Sequence, residues 1–227
     1  MPSRRHDVER TLVGRKPDGS NEGPSGRVRI LPLPSIGHFH ADREIRRVLI
    51  EVPPSCPLRA DDIAWAFSGL RVPVGDTSDR ITLMPADNAE GMLAHYGLGR
   101  AHCCWRTVTP VVLPEAGARR RIDPLHKTEE AKGGRERAVE CARAAGAVVP
   151  ALRHAGVPVR PVAIQVRREP FESNGERAEL FAKGTRFSKH RLWHVELGFA
   201  GGITGPLAIG DGRFLGLGIM APLEGEE

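Results

Sequence analysis

A chain of 227 residues is long enough for one large core or two small packed ones. Its 33 Lys and Arg exceed its 28 Asp and Glu, for a formal charge of +5 carried mostly by Arg; this makes RNA or DNA the first partner to consider, although a codon-biased genome would give the same excess. No apolar run approaches the ~18 residues of a membrane span, Met1 to Arg10 contain no signal-peptide core, and Cys56, Cys103, Cys104 and Cys141 lack the paired spacing of a zinc site or a disulfide framework, so a reduced, cytoplasmic protein without metal or cofactor is expected.

Residues 1–26 are rich in Gly, Pro, Ser and charge without hydrophobic period, and read as a mobile leader. The first strand follows without a preceding core element, as in the C-terminal part of a longer protein. That strand is Val28 to Leu33, whose prolines suit a sheet edge. After the turn-like Ile36 to Asp42, a second strand sets Val48, Ile50 and Val52 on one face. Asp61 and Asp62 open a helix in which Ile63, Phe67 and Leu70 recur at helical spacing. Ile81 to Met84 and Trp105 to Leu113 are further strands, with Cys103-Cys104 as core packing at the start of the latter.

Glu115 to Gly134 is charged and turn-rich, a long surface connection. A helix then starts near Glu136 and buries Val139, Ala142, Ala145, Val149 and Leu152 or their near neighbours, kinked or split at Pro150. Two alternating strands follow, one carrying Val162, Ile164 and Val166 and one carrying Trp193, Val195, Leu197 and Phe199. Leu217 to Ala221 is the last strand, preceded by a short helical turn. The mixture indicates α+β, with helices on one face of the sheets and two ferredoxin-like halves: 27–154 and 155–227 after the leader.

Five glycines, Gly205, Gly210, Gly212, Gly216 and Gly218, crowd one loop before that last strand, together with Arg213 and Phe214. Glycine permits positive φ and close backbone approach, and exposed amides in such a loop can cradle an anion. The spacing is not that of a dinucleotide or P-loop site, and too few residues follow for a βαβ unit. A tight turn into the strand is the plain alternative.

The stretch Gly205 to Met220 resembles the glycine-rich loop of the CRISPR-associated RAMP superfamily. More narrowly, the chain resembles the Cas-five/Cas-six fusion protein of type I-U (I-G) systems, through Arg27 to His38, Trp105 to Pro114 and Arg168 to Phe171 as well. That fusion is usually longer, and the chain looks like its C-terminal, Cas-six-like portion. The resemblance implies tandem ferredoxin-like (RRM-like) RAMP domains and a metal-independent endoribonuclease that processes pre-crRNA at its repeats. CRISPR repeat RNA or crRNA and other Cas subunits of a type I effector complex are the implied partners. A non-catalytic subunit that binds the crRNA handle is the alternative.

In that reaction the 2′-OH of the RNA is the nucleophile, so the protein supplies a base, an acid for the leaving 5′-oxygen and positive charge around the phosphorane. Histidine suits base work near neutral pH. Of nine histidines, His38 and His40 lead, because they flank Phe39 in a loop and are followed by Arg43, Arg46 and Arg47. A solvated polar loop is the competing reading. Lys183, Arg186 and Lys189, with His190 and Arg191, form a basic run that would track phosphates or simply face solvent. His194 fits a satisfied sheet histidine better than a catalyst.

Overall fold

The computed structural model describes residues 2–37, 41, 44–73, 78–87, 89–113 and 133–223. They fall into two compact units, Met1–Arg29 with Ile50–Gly91, and Ile30–Leu49 with Met92–Glu227. In the first unit, α1 (Pro2–Val8) runs into a π-helical turn, Glu9–Val13, that ends at Gly14 with φ 81°. Thr11 is fully buried there; its hydroxyl donates to the Asp7 carbonyl at 2.7 Å, and its own carbonyl accepts from the Val28 amide. The expected mobile leader is therefore helical at its start. Backbone and hydroxyl hydrogen bonds hold it rather than an apolar stripe, so hydrophobic period did not reveal it.

Strands β1 (Arg29–Pro34) and β2 (Ile45–Glu51) pair as a two-stranded sheet. Helix α2 (Ala60–Phe67) carries Asp61 and Asp62 in its first turn, where the amide ends favour negative charge, and buries Ile63. It leads into the antiparallel hairpin of β3 (Arg71–Pro73) and β4 (Arg80–Thr82).

The second unit holds most of the β1–β2 pair and is built on a larger antiparallel sheet. After α3 (Glu90–Ala94) come β5 (Ala101–Thr107), β6 (Val111–Val112), α4 (Gly134–His154), β7 (Ala163–Arg167), β8 (Leu192–Thr204), β9 (Leu207–Ala208) and β10 (Ile219–Pro222). Gly198, Leu197 and Glu196 of β8 pair with both β7 and β5, so those strands flank β8 on opposite edges. β10 then pairs with β5, and β9 with β10, giving the order β7-β8-β5-β10-β9. β6 takes up the line of β5 along the start of β8.

Alternation sorts the sheet's side chains onto two faces. Trp105, Trp193, Val195, Leu197, Phe199 and Met220 pack with Ala144, Ala147, Val148, Ala151 and Leu152 of α4. On the other face Ile219, Ala208 and Ala221 meet Leu31, Leu33 and Tyr96, and Leu192 and Val112 meet Ala178 and Phe187. The Tyr96 hydroxyl donates to the Pro34 carbonyl at 2.6 Å, and burial holds its pKa far above the usual phenol range.

Mixed α and antiparallel β is thus the architecture. The division expected at residue 154 does not separate the strands, because β8 and β10 both take their ladder partners from β5. The expected kink is a continuous helix: α4 runs through Pro150, anchored by Val148 before it and Ala151 after it, while the carbonyl its ring would crowd belongs to Gly146. Of the five residues named for the buried stripe Leu152 is fully buried, the near neighbours Ala144, Val148 and Ala151 take the places of Ala145, Val149 and the turn before Leu152, and Val139 is exposed. Cys103 and Cys104, expected in the core, are exposed; the ladder shifts between His102 and Cys104, and inward alternation resumes only at Trp105. The connection 115–134 lies outside the described residues except for its last two positions.

Candidate nucleic-acid interface

The glycine loop faces inward. Amides of Ile209, Asp211 and Gly218 donate to the carbonyls of Gly218, Val112 and Pro110 at 3.0, 3.0 and 2.9 Å, and Gly205 donates to Gly97 at 2.9 Å. A Cβ would overlap the Tyr96 carbonyl at Gly205, the Val112 carbonyl at Gly210 and the Ile209 carbonyl at Gly218. At Gly212 it would meet the Leu217 side chain, and at Gly216 the ring of Pro32. Arg213 is buried, donating to the carbonyls of Gly210 at 2.8 Å and His154 at 3.2 Å. Because His154 is the last residue of α4, the guanidinium sits at the negative end of that helix. The phosphate cradle expected of these amides and Arg213 gives way to a clamp inside the fold. Phe214, half-buried beside it, has its ring 4.9 Å from the Arg213 guanidinium.

The basic run lies differently. From Leu180 to His190 the chain makes successive tight turns: Thr185 donates to the Ala182 carbonyl at 3.0 Å and accepts from the Phe187 amide at 3.1 Å, and the His190 amide closes on Phe187 at 2.8 Å. Ala182 and Phe187 are pulled into the apolar cluster with Leu192 and Leu217. Between these anchors Lys183, Arg186 and Lys189 are exposed, and among the described residues none has an acidic partner. The Arg186 guanidinium lies 4.7 Å from the Phe187 ring centroid. Arg191 turns away and pairs with Glu140 of α4. The sequence supplied the basic residues but not this separation, which follows from where Ala182 and Phe187 bury.

Next to this turn is a cleft of about 500 Å³. Phe181, the residue before the buried Ala182, forms one wall, with Pro34, Ile36 and Val108. Glu172, Asn174 and Glu176 supply polar groups. The Asn174 amide donates to the Ala41 carbonyl at 3.2 Å, and Glu172 pairs with Arg106 at 2.7 Å. Gly37 and Ala41 both line the cleft. They bracket His38, Phe39 and His40, which lie outside the described residues, as does Arg43. Arg46 and Arg47 are exposed on β2, Arg46 paired with Glu44 at 3.1 Å.

Sequence reasoning missed His95, whose ring packs against Gly37 where φ is +75° and a Cβ would overlap it. It also missed Glu172 and Asn174. The dipeptide Asn174-Gly175 is a turn signal that could have marked the second wall. The loop 167–179 behind it is tied by Arg168 to Glu179 at 3.1 Å and by Arg177 to Glu169 at 3.0 Å.

His194 is a satisfied sheet histidine. Its Nε2 lies 3.1 Å from the Glu176 carbonyl, which can only accept, so Nε2 carries the proton. Nδ1, 3.3 Å from the Thr107 hydroxyl, then accepts from it, while that oxygen takes the Val195 amide at 2.9 Å. Burial pushes its pKa below the usual value, and Arg167 and Arg168 push the same way. Below about pH 6.5 the unfolded chain gains a proton that the folded chain refuses, so stability falls on acidification and is unaffected above that pH. A melting temperature a few degrees lower at pH 5.5 than at pH 7.5 is expected. His194→Gln, which keeps the donor to Glu176, flattens that step; an identical pH profile in the variant would refute the neutral assignment.

Among the described residues, no group of three His, Cys, Asp or Glu could hold a metal ion, and no helix is long and apolar enough to cross a membrane. A family model described as CRISPR-associated protein, GSU0054 family, matches residues 25–222. No curated protein and no solved structure matches the chain.

Proposed function

Because the chain belongs to the CRISPR-associated GSU0054 family, we propose that its second unit binds CRISPR repeat RNA and cuts it by attack of the 2′-OH on the adjacent phosphate. The observation that carries this reading is the exposed basic turn of Lys183, Arg186 and Lys189 beside a cleft walled by Phe181. Cations without acidic partners attract a phosphate chain, and the neighbouring cleft receives a nucleotide from it. His38 and His40 act at that cleft as base and acid, with Arg43, Arg46 and Arg47 adding positive charge. The succession β5-α4-β7-β8-β10 and the order β7-β8-β5-β10 support a ferredoxin-like RAMP domain, with β9 and the turn Arg213–Leu215 in place of its second helix. Such a protein works in the cytoplasm beside other Cas subunits of a type I complex.

A second reading, a non-catalytic subunit that holds the crRNA handle, is favoured by the inward-facing glycine loop, which leaves the family's marked motif to stability. Incubating the protein with a labelled repeat RNA, with and without EDTA, separates the two. Cleavage that survives chelation, leaving a 2′,3′-cyclic phosphate, supports the enzyme; tight binding without turnover supports the subunit.

The triple variant Lys183→Ala, Arg186→Ala, Lys189→Ala tests the binding surface common to both. Each lost phosphate contact removes about 0.7 from the slope of log K against log salt for a single strand, so the slope shrinks by about 2. Unchanged affinity and slope in a salt titration would sink the surface.

A further inference from the structure

We propose that two copies of the chain associate through the first unit, using the Trp65 side of α2 and the face of the β3–β4 ribbon that carries Arg71, Arg80 and Met84. This stands apart from the RNA-binding reading, which concerns the second unit. The starting observation is a helix without cover. Apart from Asp61 and Asp62 every residue of α2 is apolar, yet Ile63 alone is buried. A helix that is apolar all round belongs inside a protein or an interface. Trp65 is 82% exposed, and Met84, just beyond β4, is 72% exposed. Tryptophan is enriched among the few residues that carry most of the energy of an interface.

The two surfaces meet at the end of the helix. α2 runs into β3 through Ser68, Gly69 and Leu70. The Gly69 amide donates to the Leu83 carbonyl at 2.9 Å, and the Leu83 amide donates to the Leu70 carbonyl at 2.9 Å, so Arg71 and Met84 sit at that end. The register sets Arg71 opposite Thr82 and Pro73 opposite Arg80, and alternation then puts Arg71, Arg80 and Met84 on one face of the ribbon. All three are exposed.

The charges say what covers this surface. Asp61 and Asp62 lie one helical turn before Trp65, on its side of the helix, so the stripe repels a phosphate chain and calls for cations. Asp62 has no partner among the described residues, and Asp61 meets only the exposed Arg59, at 3.4 Å. Arg71 and Arg80 have no acidic partner among them either. Acids at the start of the helix and cations beyond its end thus stay apart within one copy. Packing two copies of α2 antiparallel about Trp65 sets the acids of each beside the cations of the other, and the contact closes as a two-fold dimer.

The test is sedimentation velocity on the full chain from about 1 to 100 µM, with and without ribonuclease. A dimer populated by about 100 µM is expected, and Trp65→Ser with Met84→Ser weakens it about 30-fold or more. Asp61→Arg with Asp62→Arg makes both surfaces cationic, and Arg71→Asp with Arg80→Asp makes both acidic. Each charge variant alone is monomeric over that range, because like charges then face each other, and an equimolar mixture of the two recovers the dimer. A parent chain that stays monomeric overturns the proposal and leaves the surface to a different protein; a dimer that ribonuclease dissolves overturns it in favour of bridging RNA. A dimer that every variant forms as well as the parent assigns the association to another surface. A mixture that stays monomeric, while each component keeps the parent's circular dichroism spectrum, overturns the pairing of acids with cations. Should the charge variants fail to fold, the Trp65 and Met84 variant decides.

Discussion

Replacing His38 and His40 together by alanine slows cleavage of a labelled repeat RNA by about 10²–10⁴-fold and leaves its affinity within about threefold. The size follows from the chemistry. A 2′-OH is a poor nucleophile until a base removes its proton, and the leaving 5′-oxygen is a poor leaving group until an acid supplies one. A proton carrier near neutral pKa serves either step. The choice of these two residues is motivated by their neighbours in the chain. Gly37 precedes the pair and Ala41 follows it; both line the cleft, and Ala41 is tied to Asn174 on the opposite wall. Binding is spared because the phosphate contacts are assigned to the turn at Lys183, Arg186 and Lys189. Single-turnover rates at saturating protein, measured with filter-binding affinities, separate the two quantities. An unchanged rate removes both histidines from the reaction and makes His95, packed on Gly37, the next to test. A parallel loss of affinity would mean that they bind rather than react.

Gly218→Ala has the largest expected effect on stability. The residue holds φ +74°, and a Cβ there would stand 2.0 Å from the Ile209 carbonyl oxygen, a backbone atom fixed in the turn. The left-handed conformation and the overlap together cost about 3 kcal/mol. That corresponds to a fall in melting temperature of about 6–12 °C for a domain of this size. Arg213→Ala acts in the same place by another route, leaving the Gly210 and His154 carbonyls without the donor that bridges them. Thermal melts check both. At temperatures where the variants remain folded, their affinity for RNA matches that of the parent protein. A specific loss of RNA binding with an unshifted melt would restore the loop as a phosphate cradle.

That pair of variants marks how far the sequence could be read. Strands with strict alternation were legible, because Trp193, Val195, Leu197 and Phe199 sit on one face only if the segment is a strand, and β8 is one. The glycine loop was legible as special but not in its direction. The same composition serves a nest for anions or a chain packed against its neighbours, and only the partners of its amides distinguish them. Lys183, Arg186 and Lys189 were legible as basic, yet their exposure depends on Phe187 burying between them, a long-range packing fact. The cleft was the least legible. It joins Pro34, Val108 and Glu172, which are far apart in the chain and carry no common period.

The position of β5 has a consequence for synthesis. It pairs with β8 on one edge and with β10 on the other, and β10 is the last of the sheet's strands to leave the ribosome. Until then a nascent chain presents one side of β5 as an open row of amide and carbonyl groups, the kind of template that recruits a second chain. Slow translation or stalling ahead of Ile219 therefore favours aggregation over folding, and a holdase acting on that edge would raise the yield.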